Sequence, residues 1–198
     1  VVHGGGWRSG DKTRFAALAG SLAEQGFAAA CIGYRLLPEV QFPAPIVDCK
    51  AAVRWVRANA GKYGIDPDRI GAIGGSAGGH LVAMLGVSDG IADLEGSIGA
   101  HAGVSSKVKC VVDFFGPADL LTMGGKHDDP ASPESKLIGG PVQENPGKAR
   151  SASPAAHVGA DDASFLIVHG DEDPLVPYGQ SVALETKLEA AGVPVVLL

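Results

Sequence analysis

The chain has 198 residues, of which 45% are hydrophobic, and a formal net charge of −6, which is enough apolar material for one domain with a buried core. The acidic balance, with no run of Lys or Arg, excludes an electrostatic footprint for nucleic acid or an anionic membrane surface. No apolar run approaches the ~20 residues of a spanning helix, and no charged segment with a cleavage site opens the chain.

Short runs rich in Val, Ile and Ala alternate with amphipathic stretches. This pattern predicts right-handed βαβ units in an α/β fold, with a mostly parallel central sheet and helices on both faces, in a single domain over 1–198. Val1 and Val2 read as the tail of a strand. A helix is expected over 14–25, a buried strand over 27–34, and a helix over 45–60 whose Ile46, Cys49, Val53, Val56 and Ala60 share one face. Asp66, Asp68 and Arg69 read as a turn and cap. A strand over 69–74, a helix over 77–87 and a strand over 108–115 follow. Between Gly116 and Pro154 the texture turns to Gly, Pro, Ser and charge without sustained periodicity. It reads as an insertion over the sheet, either lid-like and substrate-shaping or a plain surface loop. A strand over 164–169, a helix over 179–191 and a strand from 193 complete the order. Because Val1 and Leu198 both fall inside predicted strands, the chain is expected to begin and end within elements.

Cys31, Cys49 and Cys110 are odd in number, lack metal-ligand spacing and sit in apolar stretches. They are expected to be buried structural thiols, with no metal site.

Three local patterns carry chemistry. Gly74, Gly75, Ser76, Ala77 and Gly78 form G-x-S-x-G between a predicted strand and a predicted helix, the context in which a serine sits on a strained turn with its hydroxyl clear of the sheet. Ser76 is the candidate nucleophile, and the Ala77 amide at the helix start is a candidate oxyanion donor. His3, Gly4, Gly5, Gly6 and Trp7 follow an apolar strand. Successive glycines let a loop turn its N–H groups inward, so Gly5 and Gly6 are expected to complete the oxyanion hole, His3 to brace the loop and Trp7 to wall the substrate pocket. The run from His169 to Pro177 follows another apolar strand and offers carboxylates. Asp173 is the candidate triad acid; Asp171 and Glu172, and more weakly Asp113 and Asp119, are its rivals.

The catalytic histidine is the missing part. In the chain order Ser, Asp, His it should follow Asp173, and no histidine does. His3 and His169 belong to the loops above, and His80 is expected to face the core. His101 and His127 are expected to be exposed, and His157 to make a structural hydrogen bond. The base is therefore expected beyond Leu198, with a histidine recruited from the 116–154 insertion as the alternative.

With these motifs in order, the chain resembles the α/β-hydrolase esterases and lipases, more narrowly the bacterial carboxylesterases of acetyl-xylan or feruloyl esterase type. The resemblance rests on HGGGW at 3–7, GYRL at 33–36, FPAPIVDCKAAVRWVR at 42–57, YGIDPDRIGAIGGSAGGH at 63–80, VVDFFGPADL at 111–120, SPESKLIGG at 132–140 and HGDEDPLVP at 169–177. It implies a cofactor-free serine triad with Ser76 and Asp173 as members, acting on small-molecule or oligosaccharide esters. Arylformamidase-like amidases and prolyl-oligopeptidase-type peptidases share parts of the pattern, and a non-catalytic ligand binder is a further alternative.

Overall fold

The computed structural model describes residues 1–198. Its α-helices are α1 (Ala16–Glu24), α2 (Ala44–Ala58), α3 (Ala60–Tyr63), α4 (Ala77–Val87), α5 (Ala92–Glu95), α6 (Pro133–Ile138), α7 (Pro146–Ser151) and α8 (Gly179–Ala190). Its strands are β1 (Gly71–Gly75), β2 (Cys110–Phe114), β3 (Ser164–Val168) and β4 (Val195–Leu197). They pair in sequence order, every pair parallel.

Register explains how the sheet is covered. Ala72, Val111 and Phe165 lie side by side across β1, β2 and β3, and all three are buried. Helix α4 packs on this face, so closely that a side chain at Gly86 would press into Val111 and Phe165. Every residue of α4 is buried, as befits a helix apolar all round. The neighbouring row, Ile73, Val112 and Leu166, is half-buried, and Val196 beside it in β4 is 53% exposed.

The segment expected as a strand over 27–34 makes only one bridge, Val2 to Ile32, while Val2 also bridges to Gly74. Its Val and Ala content suits a strand, but a strand exists only where a partner continues alongside it, and here the partner turns away at the glycine loop. Cys49 is buried as expected, Cys31 is half-buried and Cys110 is exposed. Cys110 starts β2 at the margin of the sheet, before the covering helix reaches it.

Residues 116–154 are more ordered than their composition suggests. They hold α6, α7 and short 3-10 turns, and Leu120, Leu137, Val142, Ala149 and Ala152 are fully buried in the main core. Burying each larger aliphatic contributes roughly 1.5–3 kcal/mol, so the segment is part of the core rather than a layer over it. Local capping replaces periodicity here: Ser132 Oγ accepts from Ser135 N, Pro133 opens α6, and Gly139 ends it with φ 74°. Gln180 of α8 fastens the segment's start by accepting from the Ala118 and Asp119 amides at 2.9 and 2.7 Å.

Candidate active site

Ser76 occupies the turn between β1 and α4 with φ 56° and ψ −123°. A non-glycine residue in that region costs on the order of 1–3 kcal/mol and persists only where the surroundings enforce it. They do so here. Ser76 N donates to Phe114 O at 2.9 Å, and Ser76 O accepts from His80 N at 2.9 Å. The glycines are required by close approach: a side chain at Gly74 would run into the Gly78 carbonyl, and one at Gly78 into the backbone of Val2 and His3. Ala77, the first residue of α4, has an amide with no intrahelical acceptor.

The glycine loop lies against this turn. A Cβ at Gly4 would stand 2.6 Å from Gly75 O and 3.4 Å from Ser76 Cβ. Gly5 has φ 122° and Gly6 φ 59°, and the Arg8 and Ser9 amides close the turn by donating to Gly5 O at 3.2 and 3.1 Å. The Gly5 and Gly6 amides donate no hydrogen bond within the chain. His3 braces the loop: its ring stacks on Tyr34 at 4.4 Å, its Nδ1 donates to Gly4 O at 2.8 Å, and the Tyr34 hydroxyl donates to His3 O at 2.9 Å. Burial pushes the Tyr34 phenol above its ordinary range.

Trp7 stands elsewhere than expected. It is 1% exposed, and its indole donates to His80 Nδ1 at 3.2 Å. It supports the loop from beneath and offers almost no surface to a substrate, because its left-handed backbone (φ 56°) turns the side chain into the core.

Asp173 lies beyond β3, at the same carboxyl edge of the sheet as Ser76. Its Oδ1 accepts from Leu175 N at 2.7 Å and Val176 N at 3.0 Å, which fixes the carboxylate. Its Oδ2 lies 3.6 Å from His169 Nε2. His169 is no proton carrier for Ser76: its side chain is fully buried, its Nε2 donates to Val176 O at 3.0 Å and its Nδ1 accepts from the Ser181 hydroxyl at 2.6 Å. Asp171 and Glu172 are exposed. Asp113 is buried inside the sheet layer, its Oδ1 accepting from Gly116 N at 2.9 Å, and burial pushes its carboxyl up to about 7.

The remaining histidines are also committed. His80 Nε2 donates to Ala152 O at 2.7 Å, and His157 bonds Ser151 O at 2.8 Å. His127, expected to be exposed, is buried and meets Glu134 Oε1 at 3.0 Å, because α6 folds back over it. His101 sits in the turn segment that leads into β2, at the opposite edge of the sheet from Ser76. Phe115 carries no motif of its own, yet it holds φ 46°. Its ring lies 3.7 Å from a Cβ at Gly75 and 6.2 Å from the His169 ring. That places it between the serine turn and the acid loop.

A parallel sheet with a strained serine turn at the carboxyl edge of one strand, an amide loop beside it and a fixed carboxylate after a later strand defines the α/β-hydrolase class. Residues 1–188 match the BD-FAE family, and the chain belongs to that family. It is 34% identical over 194 residues to the esterase LipQ of Mycobacterium tuberculosis, covering 96% of this chain and 45% of LipQ. The chain thus spans about half the length of the curated relatives it matches. Among solved structures, a truncated carbohydrate esterase from gut microbiota superposes with a TM-score of 0.94 at 38% identity, over 100% of this chain and 74% of that one. Thermogutta terrifontis esterase 2 phosphoramylated by tabun gives 0.81 at 28% identity, over 100% and 68%.

Proposed function

We propose that the protein hydrolyses carboxylic esters through an acyl-enzyme on Ser76, on small-molecule or carbohydrate esters. The observation that carries this reading is the pairing of a strained Ser76 (φ 56°) with a loop whose Gly5 and Gly6 amides are unengaged. Strain of this kind is stored where it exposes a reacting group. Fixed amide donors cost no reorganisation as negative charge develops on a carbonyl oxygen.

Ser76 Oγ attacks the ester carbonyl, and the amides of Gly5, Gly6 and Ala77 receive the oxyanion. The alcohol leaves, and water then releases the acid from the acyl-serine. Asp173, held by the Leu175 and Val176 amides, orients the histidine that takes the serine proton and returns it to the leaving alcohol. None of the six histidines of these 198 residues is placed for that work. LipQ is an esterase and the gut protein a carbohydrate esterase, which agrees with ester chemistry, and the tabun adduct of the Thermogutta enzyme agrees with an organophosphate-sensitive site.

The test uses the full-length protein with 4-nitrophenyl acetate and an acetylated oligosaccharide. Ser76→Ala is expected to lower kcat by about 10⁴-fold or more, and a fluorophosphonate is expected to add one mass increment to the peptide carrying Ser76. Turnover near wild type in the variant, or labelling elsewhere, overturns the reading.

A further inference from the structure

Beside the glycine loop lies a cavity of about 380 Å³ lined by Arg8, Leu37, Pro38, Gln41, Ser135 and Lys136. Its size is that of an ordinary small-ligand pocket. It adjoins the candidate oxyanion loop directly: a Cβ at Gly6 would lie 3.6 Å from Pro133 at the start of α6 and 3.8 Å from Arg8 Nε. The two cations that line the cavity therefore sit on the two segments that flank Gly6, Arg8 on the glycine loop and Lys136 on α6.

Its charge is unusual for this chain. The protein carries a net −6, yet the cavity presents two cations and no carboxylate. Neither cation has an ion-pair partner, since the ion pairs of the structure involve other residues. A second observation points the same way. Ser135 is 1% exposed and its Oγ has no hydrogen-bond partner. A buried hydroxyl left unpaired is costly, and Ser135 stands on the wall of this cavity.

We propose that this cavity is a subsite for an acidic sugar unit, with Arg8 and Lys136 binding the carboxylate of a uronic acid in the substrate. The proposal rests on the esterase reading above and specifies the kind of carbohydrate ester. A guanidinium pairs with a carboxylate through two parallel hydrogen bonds, and an ammonium adds a point charge. Gln41 offers hydrogen bonds to ring hydroxyls, and Leu37 with Pro38 offers an apolar surface to the ring's C–H face. A carboxylate, the usual strong acceptor for the hydroxyls of a neutral sugar, is absent from the lining.

The experiment has two arms on the full-length protein. Calorimetric titration with glucuronate, glucose and succinate reads the subsite without any turnover. Initial rates on acetylated xylo-oligosaccharides with and without a uronic acid branch read it in the reaction. Glucuronate is expected to bind at least about 10-fold tighter than glucose, which lacks the charged hydrogen bond, and tighter than succinate, which lacks the ring that Gln41, Leu37 and Pro38 contact; added salt is expected to weaken it. Arg8→Gln and Lys136→Gln are each expected to bring the glucuronate-to-glucose ratio toward one, with Lys136→Arg restoring it. Equal binding of glucose, equal binding of succinate, or a ratio unchanged in both glutamine variants overturns the proposal. Absence of Ser76-dependent turnover with the glucuronate preference intact overturns the esterase reading instead.

Discussion

Trp7 and His80 are joined by a buried hydrogen bond, indole Nε1 to imidazole Nδ1 at 3.2 Å, with the rings edge to face at 5.1 Å. The acceptor role of Nδ1 makes Nε2 the protonated nitrogen, and that N–H reaches Ala152 O at 2.7 Å. One imidazole thus ties the glycine loop, the helix behind Ser76 and the end of α7 together. Burial drives its pKa down from 6.5 to about 4, against the hydrogen bond to Ala152. With the folded value depressed, the unfolded chain binds the proton first as pH falls. His80's contribution is intact above pH 6.5 and is lost between about 6.5 and 4, a change on the order of 3 kcal/mol. His80→Gln is expected to flatten that part of the stability profile, measured by urea unfolding at pH 4.5 and 7.5. Trp7→Phe, which orphans Nδ1, is expected to cost about 1–3 kcal/mol at pH 7.5.

Asp113 works in the opposite sense. Its Oδ1 accepts from Gly116 N and its Oδ2 has no hydrogen-bond partner, so burial raises its carboxyl from 3.8 to about 7. The folded state holds this proton more tightly than the unfolded chain does. The contribution is therefore full below about 3.8 and is lost as pH rises toward 7. Asp113→Asn keeps an acceptor for Gly116 and cannot ionise. It is expected to stabilise the protein by a few kcal/mol at pH 8 and far less at pH 4.5. Equal effects at both values would mean that ionisation of Asp113 is not what burial penalises.

How much of this was legible in the sequence follows from the kind of signal each part carries. Helix α4 matches its expected bounds, 77–87, because a glycine-flanked serine marks its start and an unbroken apolar run marks its body. Strands β2 and β3 were legible from their apolar runs, Val111–Val112 and Phe165–Val168. The strand expected over 27–34 depends on a pairing partner and shrinks to a single bridge at Ile32. The interior of 116–154 was illegible because caps and turns, set by Ser132, Pro133 and Gly139, order it rather than periodicity. Trp7 was expected to wall the pocket and His127 to be exposed; both rings are held inward by partners, His80 and Glu134, that no local pattern names. The cations at the cavity, Arg8 and Lys136, lie 128 positions apart in sequence, and no local motif joins them.

Gly78 tests the tightness of the serine turn. A methyl group there would meet the His3 carbonyl at 2.7 Å and the Val2 oxygen as well, all of it backbone. Gly78→Ala is expected to lower stability by roughly 2–4 kcal/mol, as overpacking against rigid atoms does. Gly20→Ala in α1, where nothing lies within 4 Å of the added carbon, is expected to raise it by about 0.5–1 kcal/mol. Thermal unfolding of the two variants beside the parent checks both signs.

The sharpest stability test lies away from the site, where Glu95 is the shared counter-charge of two buried cations. Lys50 Nζ reaches Glu95 Oε1 at 2.6 Å, Arg54 Nη1 reaches Oε2 at 3.3 Å, and the Ser106 hydroxyl meets the same carboxylate at 2.8 Å. Lys50 and Arg54 are almost wholly buried, so neither can turn to water if its partner goes. Burial of Glu95 alone would raise its pKa, but the hydrogen bonds from Lys50 and Ser106 and the Lys50 charge outweigh that and hold it below 4.5. A depressed carboxylate stabilises above its unfolded value, and the contribution drains away as pH falls through the folded one. Glu95→Gln leaves both cations buried without a counter-charge and is expected to cost about 3–5 kcal/mol at pH 7. The variant should also lose this part of the parent's acid sensitivity, so that the two stability curves converge as pH drops below 4.5. Urea unfolding across that range decides it: a constant gap between the curves would show that packing, and not the charge of Glu95, holds Lys50 and Arg54 in place.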